Sequence, residues 1–393
     1  MHGKQTSCRA GKVLFLLSLF GVISAASMGY TRTYTFAAID FRGARNTYLY
    51  GINNAGEIVG SYEDVNSNDH GFLYAGGTFS AIDVLGSPGT YPVGINDFGE
   101  IVGYYEDVNF NDHGFLYTGG KFTSVDVPGA SVTLPYGIND SSEITGWYED
   151  VSSYTHGFLY AGGSFTTIDI SAPMFTKTTG INGSGEIVGY YYDAMLKAHG
   201  FLYAGGKFTA IDFPGAENTY PYGINNSGEI VGYYEDGTRY DHGFLFAGGN
   251  FTTLDVPGPG TYPGGINDFG EIVGYYYDGM LDTHGFLASP ISIAPTTYNF
   301  GNVKVKGSKT ASFVVTNSGT ADRVFTAAIK GEDGSMFRIT SGSGSKAIKP
   351  GKRLTIKVAF KPSSIGQKTC TLEITSNDPV FPAFNIPLIG TGQ

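Results

Sequence analysis

One tripeptide returns at a fixed interval and constrains this chain more than anything else in it. Gly-Ile-Asn begins at Gly51, Gly94, Gly137, Gly180, Gly223 and Gly265, at intervals of 43, 43, 43, 43 and 42 residues. His-Gly-Phe-Leu follows in step from His70, His113, His156, His199, His242 and His284. A Phe-x-x-(Ile/Val/Leu)-Asp segment ends at Asp40, Asp83, Asp126, Asp169, Asp212 and Asp255. Self-similarity of this kind marks a supersecondary unit that cannot bury its apolar faces alone and stacks against its neighbours.

The unit is all-β. In the fifth copy four short runs, Phe208 to Phe213, Tyr220 to Ile224, Glu229 to Tyr234 and His242 to Phe246, have the length of strands and are too short for helices. Asn-Asn-Ser-Gly and its relatives Asn-Asn-Ala-Gly and Asn-Asp-Phe-Gly join the second run to the third, and Gly-Gly joins the fourth to the next copy. These read as hairpin turns in which Asn, Asp and Gly supply the positive φ angles. Glu271 to Tyr276 is apolar on both faces, so each small sheet needs cover on both sides. The 59 glycines do not recur every third residue, which excludes collagen. A six-bladed β-propeller meets these requirements, because stacking blades around an axis covers both faces and protects most strand edges. The array opens on a lone strand, Tyr34 to Asp40, and ends on His284 to Ala288 without the partner that usually follows. The N-terminal strand is therefore predicted to complete the last blade and close the ring.

Gly-Ile-Asn-x-x-Gly-Glu-Ile-Val-Gly followed by His-Gly-Phe-Leu-Tyr resembles the HAF repeat, a probable extracellular repeat named for a His-Ala-Phe motif; all six copies here carry Gly in place of that Ala. The resemblance covers about 255 residues in register. It implies an exported protein and brings no established activity with it. From Ile291 to Gly392, alternating strands such as Ser312 to Val315, Leu354 to Val358 and Thr369 to Ile374 are separated by Gly, Pro, Asn and Asp clusters, the pattern of an immunoglobulin-like β-sandwich. Phe360-Lys361-Pro362, Leu372 to Pro379 and the ending Ile386 to Gly392 resemble the ASH or choice-of-anchor D type of that domain. In bacterial surface proteins such domains are often spacers or adhesive modules, and the resemblance implies that role.

Lys4, Arg9 and Lys12 precede an apolar run from Val13 to Ile23 and the small residues Ser24 to Ser27, which reads as a secretory signal peptide ending at Ala26. The run is too short to span a bilayer, and no later one is long enough. The expected organisation is a signal peptide over 1–26, a propeller over 27–288 and a sandwich over 289–393, in a secreted, cell-surface or periplasmic protein. Cys8 leaves with the signal peptide, so Cys370 stands alone and reads as a buried core thiol. Residues 27–288 hold 8 Lys and Arg against 30 Asp and Glu, a net of −22, whereas 289–393 hold 13 against 5, a net of +8. So acidic a propeller is a poor partner for nucleic acid or anionic lipid.

Repetition also weighs the chemistry. His70, His113, His156, His199, His242 and His284 occupy equivalent blade positions, so they lie on a ring and do not converge on one metal with bonds of about 2 Å; each is expected to bond an Asp of its own blade. Glu57, Glu100, Glu143, Glu186, Glu229 and Glu271 repeat likewise, whereas a catalytic carboxylate pair needs two unequal environments. Asp64, Asn66 and Asn68 in copy one and Asp107, Asn109 and Asn111 in copy two have the oxygen spacing that opens a calcium loop, with solvated turn residues as the other reading. There is no Gly-x-Ser-x-Gly and no P-loop, and Trp147 is the single tryptophan. The loops before the histidines diverge between copies and offer the exposed aromatics Phe110, Tyr154 and Tyr240, as a scaffold presents a binding face. The expected function is non-catalytic binding of a glycan, polymer or protein by that face, with no cofactor unless Ca²⁺ occupies the loops. A carbohydrate-active hydrolase or lyase on the same scaffold is the alternative.

Overall fold

The computed structural model describes residues 24–27, 30–170, 175–317, 322–349, 351–376 and 384–393. Of the expected signal peptide only Ser24 to Ala26 falls among them, in a short strand, Ser24–Ser27, paired with Tyr30–Thr33; the rest of that segment, with Cys8, lies outside the described residues. The protein is all-β. Among the described residues the helical content is a 3₁₀ turn at Glu332–Met336, and no helix is long and apolar enough to cross a membrane.

Each repeat forms a four-stranded antiparallel blade. In the first, Asn46–Ile52, Ile58–Glu63, Asp69–Ala75 and Thr78–Ala81 pair in chain order. Hydrogen bonding sets the phase: the Phe-x-x-Ile strand is the outer strand of the blade that precedes it, Phe79 facing Tyr74 across the hairpin. The sixth blade draws its outer strand from the other end of the chain, where Arg32–Ala38 runs antiparallel to Phe286–Ser292. The turn after Gly-Ile-Asn corrects the sequence reading in one respect. Positive φ falls on Gly56, Gly99, Ser142, Gly185, Gly228 and Gly270, not on the asparagines, because the asparagine side chains are engaged elsewhere.

Apolar clusters lie across the seams between blades. Val59 of the first blade packs with Ile95, Ile101 and Phe115 of the second. Val102 does the same for the third blade, Val188 for the fifth and Val231 for the sixth. Val273 of the sixth packs with Leu49, Ile52, Ile58 and Phe72 of the first, so the last seam repeats the others. Thr145 stands at this position in the third blade, fully buried and donating to Phe158 O at 2.8 Å. Thr178 beside it donates to Gly146 O. The third-to-fourth seam is accordingly the most polar.

The strand Thr283–Ala294 leaves the sixth blade without a break and pairs through Ile291–Ala294 with Val314–Asn317 of the sandwich. There, two sheets face each other. One contains Lys309–Asn317, Arg353–Phe360 and Phe337–Ser341; the other contains Tyr298–Val303, Phe384–Gly392, Gly366–Ser376, Arg323–Lys330 and Lys346–Ile348. Phe300, Phe313, Phe325, Phe360, Leu372 and Leu388 fill the single core between them. Cys370 is buried in the same core, and loss of solvation followed by the charge of Asp333 pushes its thiol up to about 12.

Candidate functional site

The Gly-Ile-Asn glycines meet around the propeller axis. A Cβ on Gly51 would lie 2.5 Å from Val93 O, and one on Gly94 would lie 2.5 Å from Tyr136 O. No side chain fits there, which is the physical reason for this glycine in every copy. The ring of glycines divides the axis into two recesses of different chemistry.

On one side is a recess of about 110 Å³ lined by the Ile-Asn-Asn/Asp residues. Asn53 is buried and acts as a clamp. Its Nδ2 donates to Glu57 Oε2 at 2.8 Å and to Asn96 O of the next blade at 3.1 Å, while its Oδ1 accepts the N–H groups of Ala55 and Glu57. Asn96, Asn139, Asn182 and Asn225 repeat the bond to the following blade, and Asn267 returns it to Asn53 O at 3.2 Å. The six glutamates are thus partners of these clamps in all six blades. Below them Asp97 accepts the N–H of Asn54, and Asp140 that of Asp97.

On the other side is a cavity of about 150 Å³ lined by Tyr50, Tyr104, Tyr136, Tyr222, Tyr233, Tyr262 and Tyr275, with Val93, Thr179, Pro263 and Gly264. All seven tyrosines sit deep in the ring, yet each keeps part of its surface accessible, so the space is reached by water. Burial pushes the hydroxyls of Tyr50, Tyr104, Tyr136, Tyr233 and Tyr275 upward, which keeps them protonated and neutral at any ordinary pH. The Tyr50 hydroxyl lies 3.2 Å from Ser61 Oγ. Those of Tyr104 and Tyr275 take no protein hydrogen-bond partner among the described residues, and both rings line the open space. Toward the mouth, Tyr91 stacks on Tyr104 and Tyr262 on Tyr275, each at 4.8 Å. Their hydroxyls donate to the rim carboxylates Asp69 at 2.8 Å and Asp241 at 2.7 Å. The six-fold pattern breaks at the third and fourth blades: Leu134 stands in place of the stacked tyrosine in the third, and Lys177 in the fourth, where its ammonium lies 3.7 Å from the centre of the Trp147 ring.

The residues expected from sequence lie around this mouth. Each histidine is held between two carboxylates. His70 places Nδ1 3.2 Å from Asp83 and Nε2 3.8 Å from Asp64, and His113, His156, His199 and His242 repeat this. His284 takes its outer-strand carboxylate from Asp40 at 3.0 Å, across the chain ends. Asp64 Oδ1 accepts the N–H groups of Asn66 and Asn68, whose side-chain amides also donate to it. Asp107 Oδ1 likewise accepts the N–H groups of Asn109 and Asn111, and the Asn111 side-chain amide donates to the same carboxylate. Asp193 forms the identical turn with Met195 and Lys197, which bring no oxygen side chain. Among the described residues, no group of three or more His, Cys, Asp and Glu is arranged to hold a metal ion. Phe110, Tyr154 and Tyr240 stand exposed on these same turns, one per blade, and are not brought together. Phe110, Leu196 and Leu281 are held at φ of 62, 62 and 68°, a strained setting for bulky side chains at exposed positions.

Sequence reasoning missed the asparagine clamp and the tyrosine cavity. A signal for the cavity was present: the position before Gly-Ile-Asn reads Tyr50, Val93, Tyr136, Thr179, Tyr222 and Gly264, variable inside an otherwise fixed motif.

The fold and its axial recesses define a β-propeller joined to an immunoglobulin-like, PapD-like sandwich. The family model described as Cep192 domain 4 matches residues 288–393. The PapD-like domain 7 of human CEP192 is 16% identical with a TM-score of 0.23, over 26% of this chain and 84% of that one. Two lectins match the propeller part. The Aleuria aurantia lectin, a six-bladed β-propeller with a fucose recognition mode, is 13% identical with a TM-score of 0.41, over 65% of this chain and 93% of that one. SapL1 lectin, solved with α-methyl fucoside, is 13% identical with a TM-score of 0.44, over 64% of this chain and 92% of that one. At these identities the likeness is one of fold. No curated protein matches the chain.

Proposed function

We propose that this chain is a non-catalytic carbohydrate-binding protein that takes the end of a glycan into the tyrosine cavity from the face carrying the histidine turns. The wall of seven tyrosines carries the reading. Aromatic faces pack against the C–H faces of a sugar, and neutral hydroxyls donate to and accept from its hydroxyls. The wall offers no nucleophile or base that titrates near neutrality. The exposed turns with Phe110, Tyr154 and Tyr240 extend the contact outward, the N-terminal strand closes the ring, and the sandwich serves as a spacer or second contact. With the export-type N-terminus and the HAF-like repeats, the protein is read as secreted or on the cell surface.

A glycan and cell-wall polymer array on the intact protein, in calcium and again in chelator, tests this. Tyr104→Phe and Tyr275→Phe each remove a hydroxyl without changing the cavity shape and are expected to weaken binding roughly 3- to 10-fold. Binding that both variants retain at full strength moves the site to the turns of Phe110, Tyr154 and Tyr240. Binding lost only in chelator brings Ca²⁺ to the turns of Asp64 and Asp107. Release of reducing ends favours the enzyme, and an empty array overturns the reading.

A further inference from the structure

The rim of the tyrosine cavity is unevenly charged, and the imbalance selects among sugars. Asp69 opens the third strand of the first blade, Glu106 and Asp112 face each other across the second and third strands of the second blade, and their charges act on Tyr91, Tyr104 and Tyr136. Asp69 receives the Tyr91 hydroxyl, and Tyr91 in turn stacks on the cavity-lining Tyr104. Asp112 has no such donor, because the third blade carries Leu134 where the second has Tyr91. No lysine or arginine forms an ion pair with any of the three among the described residues. Burial, then the charges of Asp112 and Asp69, push the Glu106 carboxyl up. Burial pushes Asp112 up as well, His113 opposing and Glu149 adding to it. Lys177 lies over Trp147 at the third-to-fourth seam, where the charge of Glu149 acts on it, and it forms no ion pair with the three carboxylates among the described residues. Arg45, the guanidinium of the first blade, is taken up by Glu63, so the sector beside the first and second blades is a wall of aromatic faces edged by three carboxylates that have no ion pair among the described residues, the composition that attracts a desolvated ammonium group.

We infer that the cavity selects a carbohydrate bearing a free amine, a glucosamine-type unit, with its ammonium group seated between Asp69, Glu106, Asp112 and the faces of Tyr91 and Tyr104. This rests on the carbohydrate reading above and narrows it. An N-acetylated unit presents a neutral amide at that place and leaves the carboxylates uncompensated.

Calorimetric titration of the intact protein at low salt and mildly acidic pH compares a fully deacetylated chito-oligosaccharide, its N-acetylated counterpart, a cello-oligosaccharide and trilysine. The deacetylated sugar is expected to bind about tenfold more tightly than either neutral sugar. Asp112→Asn and Glu106→Gln are each expected to remove about fivefold of that preference, whereas Asp140→Asn, the same charge change at the opposite end of the axis, leaves it intact. Equal affinity for all three sugars, or a preference unmoved by both neutralising variants, overturns the amine inference while the cavity keeps its carbohydrate. Trilysine binding more tightly than the amino sugar overturns the sugar. Failure of all three sugars together with an empty glycan array takes down the carbohydrate reading itself.

Discussion

The propeller and the sandwich solve the same problem, covering sheets on both faces, in opposite ways. The sandwich gathers Phe300, Phe313, Phe325, Phe360, Leu372 and their neighbours into one core between two sheets. The propeller divides its apolar residues among the seams between blades and adds a polar clamp at each, the Asn53-type amide reaching the carbonyl of the next blade. A single core tolerates strand ends at any place on its rim. A ring of seams is only as strong as its last joint, which here depends on residues Arg32–Ala38 reaching Phe286–Ser292. The contrast teaches where each region can be broken.

The largest expected effect comes from deleting residues 30–41. The sixth blade then loses its outer strand, the Asp40 partner of His284 and the buried Tyr34 and Phe36. Scanning calorimetry should show the propeller transition collapse while the sandwich transition stays; a propeller that melts unchanged would show that the ring does not rely on this strand. The reciprocal variant, Phe360→Ala, empties the centre of the sandwich core and should cost about 3–5 kcal/mol in that transition alone. If both transitions move together, the two regions unfold as one unit and the contrast fails. Next comes Asn96→Ala, which removes bonds to Glu100 and Asn139 O and the acceptor for two turn N–H groups. Stranding these groups in a buried place should lower propeller stability by about 3 kcal/mol. A loss no greater than that of an exposed turn residue, read from urea midpoints, would demote the clamp.

The smallest effect is that of pH. The N–H groups of their own turns, foremost those of Asn68 and Asn111, hold Asp64 and Asp107 at about 2, below the ordinary 3.8. A depressed carboxyl stabilises the fold fully above its unfolded value and loses that contribution as pH falls through the folded one. The propeller should therefore weaken between about pH 4 and pH 2 more than the sandwich, which has no such turns among its described residues. His284 behaves oppositely: its hydrogen bond to Asp40 raises it above 6.5, so its contribution is complete below that value and fades as pH rises past the raised one. Melting the two transitions from about pH 2 to pH 4 tests the carboxylates and melting them from about pH 6 upward tests His284, and parallel acid sensitivity of propeller and sandwich would sink the assignment.

Much of this architecture was legible because it is periodic. The 43-residue interval and the unpaired strands at either end of the array were enough to expect Tyr34 to Asp40 beside His284 to Ala288. The clamp was not legible, since Asn-x-x-Gly has the composition of a turn whether the amide caps its own loop or reaches across a seam. The cavity escaped for a related reason. A repeat period places a tyrosine in a strand but does not tell which strand runs next to the axis, and only there does the residue before Gly-Ile-Asn face an open space. Departures from the repeat were visible at Leu134, Thr145, Thr178 and Lys177, and these mark the polar seam and the break in the tyrosine layer.

The unbroken strand Thr283–Ala294 also has a mechanical consequence. Tension applied to the sandwich enters the propeller along the axis of a strand flanked by Ile272–Tyr277 on one side and Arg32–Ala38 on the other. Many hydrogen bonds then resist sliding at once, where an edge strand pulled sideways would give way one rung at a time. The strand Arg32–Ala38 that completes the sixth blade therefore also braces the strand that continues into the sandwich.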